Sequence, residues 1–595
     1  MPFGFDISHK VTEARRLTIP HPLNQLAVAE FYHAHAATIE YYAGLSPFSI
    51  RKPVRVARYS NFRDKMHERL LAKQLGQVEE HDKEYDQIGS YFVYEAYSNV
   101  FKFFESHQYH RAEKRFNAMV KVDVAKCFDS IYTHSLPWAI HGNRAIKDDL
   151  VPSKSTFSGQ FDALMQNLNQ NETNGIVIGP EFSRVFAELI LQSVDVTVEK
   201  QLRQRQSGML LHKHDYEIFR YVDDYYVFYN DPQHATIITE YIRHNLSQVK
   251  LNLNTEKTRV YEKPIITEII IAKNQISPLI AESIEVKRGS ADTENGAILD
   301  DVQDVPERFL CRVDSRTLIV RYKTILKSAG VNYLEVGNYT FALLEGKIDK
   351  LLAAFVATGR GLRSEDDLLK ALVGLMEFAF FIYASAPRVN VSIRLTRIVA
   401  TATCSFRALK ISQEQKHRFY KYIYDNASHQ LKKNQALEFR EIESLYLLLA
   451  LGELGKEYWL DERIIRQHLH IAERVDGSYY AMRPLGYFPI TVLLLYTKGK
   501  KKYNKLRDFV TEQGVSKIEA RKHYRHKDTE VLMLSLDLLA CPFVGDPFKQ
   551  RISGAYGLAA SDLLNIGIIS RNWFTTWIGA ELTDELDAKR RREVY

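Results

Sequence analysis

The stretch Ile218-Phe219-Arg220-Tyr221-Val222-Asp223-Asp224-Tyr225-Tyr226-Val227-Phe228-Tyr229 decides the fold of this chain. Its two halves are rich in aromatic and β-branched residues, which favour strands, and an acidic pair separates them. The stretch therefore predicts a hairpin with Asp223 and Asp224 at its turn. Two adjacent carboxylates in a partly buried turn disfavour each other's ionisation unless a cation offsets their charge, and a divalent metal ion is the cation this pattern favours.

A second strand is predicted upstream of the hairpin. The run Val120-Lys121-Val122-Asp123-Val124 has the composition of a strand, and Asp123 lies near its end. If this strand and the hairpin lie side by side, Asp123 joins the acidic pair. Three carboxylates in such an arrangement can hold two Mg²⁺ ions for in-line phosphoryl transfer.

These two elements resemble the palm of reverse transcriptases, and two further segments follow the order of that family. Residues 175–183, followed by an apolar helix over 184–194, are similar to the Gly-x-x-x-Gly-x-x-x-Ser element that lines the template–primer cleft. Residues 251–258 resemble the segment that places a lysine near the triphosphate. An Asp-Asp pair alone is common in solvated turns, but four elements in the family's order make the joint resemblance specific.

Within this family the chain most resembles bacterial antiphage reverse transcriptases of the abortive-infection type (AbiA, AbiK) and related defence-associated enzymes. The resemblance lies in residues 42–53, 127–142 and 175–183. One departure is visible. Where retroviral and intron-encoded enzymes commonly have Pro-Gln-Gly, this chain has Val177-Ile178-Gly179, so an isoleucine replaces the glutamine that packs near the template nucleotide. The departure disfavours ordinary template reading.

The resemblance implies roles for the acidic residues and their neighbours. Asp123 and Asp223 would bind two Mg²⁺ ions, Asp224 would lie at or beside the metal shell, and Val124 would offer its backbone carbonyl to the ion that carries the triphosphate. One ion lowers the pKa of the attacking hydroxyl, and the other neutralises the departing pyrophosphate. Lys257 would lie near the triphosphate.

Phe128, five residues after Asp123, stands where the family packs an aromatic ring under the sugar. A large ring there excludes a 2′-hydroxyl, which implies deoxynucleoside triphosphates as substrates. The alternative is a core aromatic residue beside an apolar strand.

Arginines upstream of the palm are candidates for binding the nucleotide. Residues 49–58 and 61–65 alternate basic with apolar side chains, so on an extended chain the charges share one face. Arg51, Arg58 and Arg63 are therefore predicted to contact the triphosphate. The alternative is that some of them are solvated surface residues.

Length and composition fit a multidomain enzyme. The chain has 595 residues, and a chain of this length is too long to form a single hydrophobic core. Its hydrophobic content of 45% supports well-packed domains. The net charge of +7 suits a nucleic-acid enzyme without requiring it. The four cysteines lie far apart, which predicts neither a zinc site nor a disulfide framework. No leader pattern and no apolar run approaching about 18 residues is visible, so we expect a cytoplasmic protein that does not bind membranes.

The apolar periodicity changes near residue 300. We predict an α+β fold class, with reverse-transcriptase fingers and palm over residues 1–285, a linker or mobile loop over 286–305, and an all-α, repeat-like helical domain over 306–595. The abortive-infection enzymes similarly carry a helical domain after the palm.

The resemblance also implies substrates and partners. The abortive-infection relatives synthesise DNA without a template, attach it to the protein through a tyrosine, and assemble as closed oligomers. For this chain we expect deoxynucleoside triphosphates, a DNA product that in one mode is covalently attached, and a homo-oligomer; a noncoding RNA or a second reverse transcriptase is a further candidate partner. Tyr41, Tyr42 and the chain end, Tyr595, are the priming candidates.

Two other functions stay open at this point. One is an RNA-templated reverse transcriptase of the retron or intron type, which Ile178 disfavours. The other is a catalytically idle RNA-binding scaffold, which the presence of all three aspartates and Lys257 disfavours.

Overall fold

The computed structural model describes residues 1–10, 12–57, 90–95, 97, 99–283, 285–289, 308–357, 362–435, 440–559, 573–579 and 581–591. The chain forms two compact units. The first comprises Met1–Phe3 and the described parts of Thr18–Ile266 and Ala588–Tyr595, and the second comprises the described parts of Gly4–Leu17 and Thr267–Asp587.

Strands and helices alternate up to residue 262. In chain order the elements are β1 (Phe3–Ser8), β2 (Ala14–Ile19), α1 (Pro22–Gly44), β3 (Pro53–Val56), β4 (Phe92–Tyr94), α2 (Val100–Phe104), α3 (His107–Arg115), β5 (Ala118–Val124), α4 (Cys127–Ser130), α5 (Ser135–His141), α6 (Asn143–Asp148), α7 (Leu150–Ser153), α8 (Phe157–Leu168), α9 (Glu181–Arg203), β6 (Tyr216–Tyr221), β7 (Asp224–Tyr229), α10 (Pro232–Gln248) and β8 (Leu253–Glu262).

A four-stranded antiparallel sheet with the order β6-β7-β5-β8 forms the centre of the first unit. Its central strands are buried on both faces, which explains their nearly continuous apolar and aromatic sequence. The long helix α9 and the helix α10 belong to the same hydrophobic core as the sheet, through residues such as Phe186, Ile190 and Ile238. The hairpin predicted from residues 218–229 is thus present, with its acidic pair at one end of the sheet.

The second unit is mainly helical. The elements after residue 266 are, in chain order, α11 (Glu268–Glu282), β9 (Glu285–Gly289), β10 (Arg308–Arg312), α12 (Ser315–Ala329), α13 (Tyr333–Ala357), α14 (Leu362–Ser385), α15 (Val389–Ala408), α16 (Gln413–Asn434), α17 (Glu441–Glu453), α18 (Glu462–His468), β11 (Ile471–Glu473), β12 (Tyr479–Ala481), α19 (Tyr487–Thr497), α20 (Asn504–Ala520), α21 (Thr529–Ala540), α22 (Asp546–Tyr556) and α23 (Leu582–Arg591). Residues 588–591, at the end of α23, belong to the first unit.

Helical periodicity explains these elements. In α13, for example, Val336, Thr340, Phe341, Leu344 and Ile348 are buried at intervals of three and four residues, so one stripe of the helix faces the core. The predicted fold class, an α+β palm followed by a large helical region, is confirmed. Two short antiparallel ladders, β9 with β10 and β11 with β12, interrupt the helices in the described part of this unit.

The division between the two units differs from the predicted boundary at residue 285. It lies at Ile266, because α11 packs against α12 and α13 of the helical unit. The predicted linker, 286–305, begins inside β9, and residues 290–305 lie outside the described residues. The segment Gly4–Leu17 also belongs to the helical unit, where the backbone N–H of Ser8 donates to Glu443 at 2.9 Å.

One helix corrects the expectation about apolar runs. Ser364–Ser385, within α14, is long and apolar enough to cross a membrane by length and composition, with a mean hydropathy of 1.6. Of its most apolar window, 67% is buried inside the protein. Core helices pass the same test, and the burial places this one in the core of the helical unit.

Candidate active site

The acidic turn has a strained backbone. β6 ends at Tyr221 and β7 begins at Asp224, so Val222 and Asp223 form the turn. Val222 has a φ of 57°, in the left-handed region that β-branched residues rarely adopt. Such a residue costs on the order of 1–3 kcal/mol and persists only where its surroundings enforce it. One such restraint is the N–H of Val124, which donates to the carbonyl of Asp223 at 3.1 Å.

The sheet register brings the predicted carboxylates together. β5 lies beside β7, and Asp123 is the direct cross-strand partner of Asp224. Asp123 is buried, and the Nζ of Lys257 on β8 donates to its Oδ2 at 2.8 Å. The Nζ of Lys121, which lies on β5 like Asp123, is 3.1 Å from Oδ1 of Asp224 on β7. Each of the two paired carboxylates thus has a lysine ammonium beside it.

Asp223 has no such cation at hydrogen-bond distance among the described residues, and its environment disfavours the charged form. Burial, followed by the charges of Asp224 and Asp123, raises the pKa of Asp223 to about 6. Burial also raises the pKa of Asp224, although Lys121 opposes that shift. The hydrogen bond to Asp123 raises the pKa of Lys257, so this lysine stays charged. The turn therefore concentrates negative charge that a further cation would offset.

The chemistry of these donors fits a hard divalent cation. Carboxylate and carbonyl oxygens are the ligands that Mg²⁺ prefers, and Asp123, Asp223, Asp224 and the carbonyl of Val124 offer that set. Among the described residues, no three or more His, Cys, Asp or Glu side chains lie close enough together to hold a metal ion in this conformation. The ammonium groups of Lys257 and Lys121 instead contact the carboxylates. The two-ion site remains a prediction.

A buried ion-pair network beneath the turn was missed by the sequence analysis. Arg220 is fully buried and donates to both carboxylate oxygens of Glu188 at 2.8 Å. Its Nε donates to Oδ2 of Asp195 at 2.8 Å, and its Nη1 donates to the carbonyl of Val222 at 2.9 Å. Burial by itself lowers the pKa of Arg220, but the charges of Asp195 and Glu188 more than offset this and hold it well above its usual value. The network fixes the carbonyl of the strained residue.

The same network extends to the segment before β3. The hydroxyl of Ser46 donates to Asp195 at 2.5 Å, and the hydroxyl of Tyr225 donates to the other oxygen of Asp195 at 3.0 Å. The N–H of Arg220 donates to the carbonyl of Phe48 at 2.7 Å, and the N–H of Ile50 donates to the carbonyl of Arg220 at 2.9 Å. These hydrogen bonds therefore fix residues 46–50 against the hairpin.

This attachment places Arg51 beside the hairpin. Arg51 is buried, its Nη1 donates to the hydroxyl of Tyr221 at 3.1 Å, and its guanidinium lies 5.2 Å from the ring centre of Tyr94. For this residue the solvated-surface alternative is wrong, whereas contact with a nucleotide stays a prediction. Arg58 and Arg63, the other predicted arginines, lie outside the described residues.

Phe128 lies on α4, immediately after the strand that carries Asp123. Its side chain is half-buried against the hydrophobic core, and its carbonyl accepts the N–H of Ile176 at 2.9 Å. This contact brings the glycine-containing segment close. Gly175 has a φ of +81°, and a Cβ there would lie 3.1 Å from the carbonyl oxygen of Asp129, so only glycine fits without a shift. The core contact is compatible with both interpretations of Phe128.

The priming candidates lie on α1 or outside the described residues. Tyr41 is 63% exposed, whereas Tyr42 stacks on Phe157 with the ring centres 6.0 Å apart. In the part of the chain that the structure describes, no hydrogen bond or ring contact joins either tyrosine to the three aspartates. Tyr595 lies outside that part. The structure brings together the aspartates and Lys257, and leaves the priming residues as predictions.

Comparison with known proteins supports the palm assignment. Residues 50–285 match the reverse transcriptase (RNA-dependent DNA polymerase) family. Comparison with curated proteins gives no match. Among solved structures, the chain is similar to telomerase from Candida albicans in complex with a TWJ fragment of telomeric RNA, at 10% identity and a TM-score of 0.24, over 86% of this chain and 64% of that one. It is also similar to apo telomerase from Candida tropicalis, at 10% identity and a TM-score of 0.23, over 78% of this chain and 67% of that one.

The chain thus spans 64% of the length of the first of these telomerase chains. The family match confirms the predicted reverse transcriptase domain. It contains nothing specific to the antiphage group.

Proposed function

We propose that this chain, whose residues 50–285 match the reverse transcriptase family, is a Mg²⁺-dependent DNA polymerase that acts in antiphage defence. One observation carries the polymerase proposal. Asp123 and Asp224 are direct partners on neighbouring strands, the turn residue Asp223 has a raised pKa, and Lys257 contacts Asp123. Carboxylates in this arrangement, with a nearby lysine, suit phosphoryl transfer to a hydroxyl.

Each residue has a part in the proposed reaction. Asp123, Asp223 and Asp224, with the carbonyl of Val124, would hold two Mg²⁺ ions, which activate the attacking hydroxyl and neutralise the leaving pyrophosphate. Lys257, whose side chain is 66% exposed, would exchange Asp123 for the phosphates of the incoming nucleotide. The Arg220 network would hold the turn in place. Arg51, which lies beside Tyr221, would contact the triphosphate of the incoming nucleotide. Deoxynucleoside triphosphates are the proposed substrates.

Two modes of synthesis are proposed as alternatives. The first extends DNA without a nucleic-acid template from a protein tyrosine, Tyr41, Tyr42 or Tyr595, within a cytoplasmic homo-oligomer. Its support is the resemblance to abortive-infection enzymes and the isoleucine at position 178. The second copies an RNA, as in retron or intron enzymes, with a noncoding RNA or a second reverse transcriptase as partner. The idle scaffold is disfavoured because the carboxylates and Lys257 are assembled in one place.

Incubation of the purified protein with Mg²⁺ and each labelled deoxynucleotide, with and without added RNA, separates these functions. In the first mode, we expect incorporation without RNA and label that stays with the protein in denaturant, because the first bond joins a phosphate to a tyrosine oxygen. In the second mode, incorporation requires RNA and the product runs free of protein. A sample with EDTA is the control. A folded protein that incorporates nothing under either condition would contradict the polymerase proposal and leave the scaffold.

Phe128→Ala tests the sugar gate. If the ring packs under the sugar, removing it opens space for a 2′-hydroxyl, and the ratio of ribonucleotide to deoxynucleotide incorporation should rise by about ten- to 200-fold, the range of a single steric contact. Phe157→Ala is the matched control, because Phe157 is a partly buried phenylalanine of the same core. A ratio that stays constant in the Phe128 variant would identify Phe128 as a core residue.

A further inference from the structure

Two lysine side chains, Lys121 on β5 and Lys257 on β8, contact the carboxylates of the site. The Nζ of Lys257 lies 2.8 Å from Oδ2 of Asp123, and the Nζ of Lys121 lies 3.1 Å from Oδ1 of Asp224. Only Lys257 was predicted from the sequence. The two lysines differ in their surroundings, and the difference separates their roles.

Lys257 is placed so that it can leave its carboxylate. Its side chain is 66% exposed, and β8, which carries it, is an edge strand of the four-stranded sheet. Ion pairs with an exposed partner contribute little to stability. A competing cation on Asp123, or a phosphate beside Lys257, would therefore separate this pair at low cost.

Lys121 is held more firmly. It lies on β5, an inner strand of the sheet, directly opposite Tyr226 on β7 and Arg259 on β8. Its side chain is 30% exposed, and its ammonium lies 5.5 Å from the ring centre of Tyr226 as well as beside Asp224. An ammonium that is partly withdrawn from water gains more from a carboxylate and an aromatic ring than an exposed one does.

The sheet register explains why Lys121 meets Asp224. Alternate residues of a strand point to the same face, so Lys121 and Asp123 share one face of β5, and their partners Tyr226 and Asp224 share that face of β7. Lys121 therefore reaches Asp224 diagonally across two strands, which is within the reach of a long side chain. The contact follows from the pairing of two inner strands.

Asp224 has one oxygen beside Lys121 and one that can still bind a metal ion. Its Oδ2 accepts the hydroxyl of Tyr226 at 3.5 Å, which is longer than an ordinary hydrogen bond between oxygens. A carboxylate can bind Mg²⁺ through a single oxygen. The positive charge on Lys121, however, opposes the approach of any further cation to the turn.

We propose that Lys121 is a fixed counter-ion of the acidic turn, which stays on Asp224 when metal ions bind and limits the affinity of the site for divalent cations. Lys257 would leave Asp123 for the incoming triphosphate, whereas Lys121 would keep Asp224 oriented. Lys121 is thus a positioning residue that acts through Asp224. This role rests on the proposed polymerase function, in which the aspartates hold the ions.

Mn²⁺ binding to the full-length protein without nucleotide, followed by the electron paramagnetic resonance signal of free Mn²⁺, tests this role. Lys121→Met and Lys121→Gln remove the charge, and Lys121→Arg keeps it. Lys147→Met is the matched control, because Lys147 is an exposed lysine of the same unit whose ammonium lies 5.6 Å from the ring centre of Trp138. Circular dichroism establishes that each variant is folded.

We expect both neutral variants to bind Mn²⁺ at least about tenfold more tightly than the wild type, because a unit charge a few ångströms from a divalent ion has about this effect even in the dielectric of water. Lys121→Arg and Lys147→Met should bind Mn²⁺ as the wild type does. A residue that only packed the sheet would not distinguish arginine from the neutral side chains in this way. Unchanged or weaker binding in the folded neutral variants, or an equal gain in Lys147→Met, would overturn the role of Lys121.

Failure of the metal site itself has a different signature. If the wild type and Asp223→Asn bind Mn²⁺ equally, the ions do not bind at the turn, and the proposed metal site falls together with the role of Lys121. If Asp223→Asn loses Mn²⁺ binding while the Lys121 variants match the wild type, the metal site stands and only the role of Lys121 is refuted.

Discussion

Asp223→Asn is expected to abolish nucleotide incorporation, by at least about a hundredfold, while the protein stays folded. The substitution removes one negative charge from the turn where the metal ions are proposed to bind, and a charge that stabilises the transition state in a water-poor site has an effect of this size. The side chain volume hardly changes, so no cavity forms. Single-turnover incorporation of a labelled deoxynucleotide, with circular dichroism as the test of folding, measures both parts.

The same substitution should stabilise the metal-free protein at neutral pH. The pKa of Asp223 is raised to about 6 in the folded protein, against a usual value near 4, so the folded state binds more protons than the unfolded state between these values. Stability contributed by this group is present at acidic pH and is lost as the pH rises through about 6. The asparagine cannot ionise, and its advantage over the wild type should grow across that window.

Asp129→Asn is the control for both measurements, because Asp129 is an exposed carboxylate six positions from Asp123 in the same unit. It should leave incorporation and stability close to those of the wild type. Incorporation at the wild-type rate by folded Asp223→Asn would refute the assignment of the turn as the metal site.

Arg220→Met is expected to lower the free energy of unfolding of the first unit by about 3–5 kcal/mol, the usual cost of leaving buried charges without their partner. Arg220 is fully buried and provides both hydrogen bonds to Glu188 and one to Asp195. Methionine fills much of the same volume, so the loss reports charge and hydrogen bonding more than packing. Urea unfolding of the full chain measures the effect.

Two further variants distinguish this network from ordinary ion pairs. Arg243→Met breaks a surface pair with Glu240 and should cost less than about 1 kcal/mol. Adding Glu188→Gln and Asp195→Asn to Arg220→Met should recover part of the loss, because the remaining groups are then neutral. If the triple variant is no more stable than Arg220→Met, the buried charges are not the cause of the destabilisation.

The sequence contained enough to predict the palm. The acidic hairpin, the strand of Asp123 and the segment of Lys257 are local patterns, each readable within about ten residues, and their partners follow from the register of one sheet. The helical second unit was predictable for the same reason, since its apolar spacing repeats within each helix.

The Arg220 network was not predictable in this way, because its members come from three separate segments. Glu188 and Asp195 lie seven positions apart on α9, two turns along one face, and only the packing of that helix on the hairpin brings them to Arg220. A visible signal did exist: an arginine in an otherwise apolar strand, and two acids within an apolar helix, each require a buried partner. Sequence alone does not pair them.

The unit boundary was displaced for a similar reason. The composition changes near residue 290, where polar residues and glycine accumulate, but the two units divide at Ile266. The sequence of helix α11 does not show which unit it belongs to. Its contacts with α12 and α13 place it in the second unit. Tertiary contacts of this kind leave no local mark in the sequence.

Ser46 is connected to the acidic turn through a chain of buried hydrogen bonds. Its hydroxyl donates to Asp195, Asp195 contacts Arg220, and Arg220 donates to the carbonyl of Val222. A genetic screen for inactive variants should therefore recover substitutions at position 46 although the residue touches no aspartate of the site. Second-site suppressors of such variants would concentrate on α9 and β6. Their positions would identify the buried residues that stabilise the conformation of the turn.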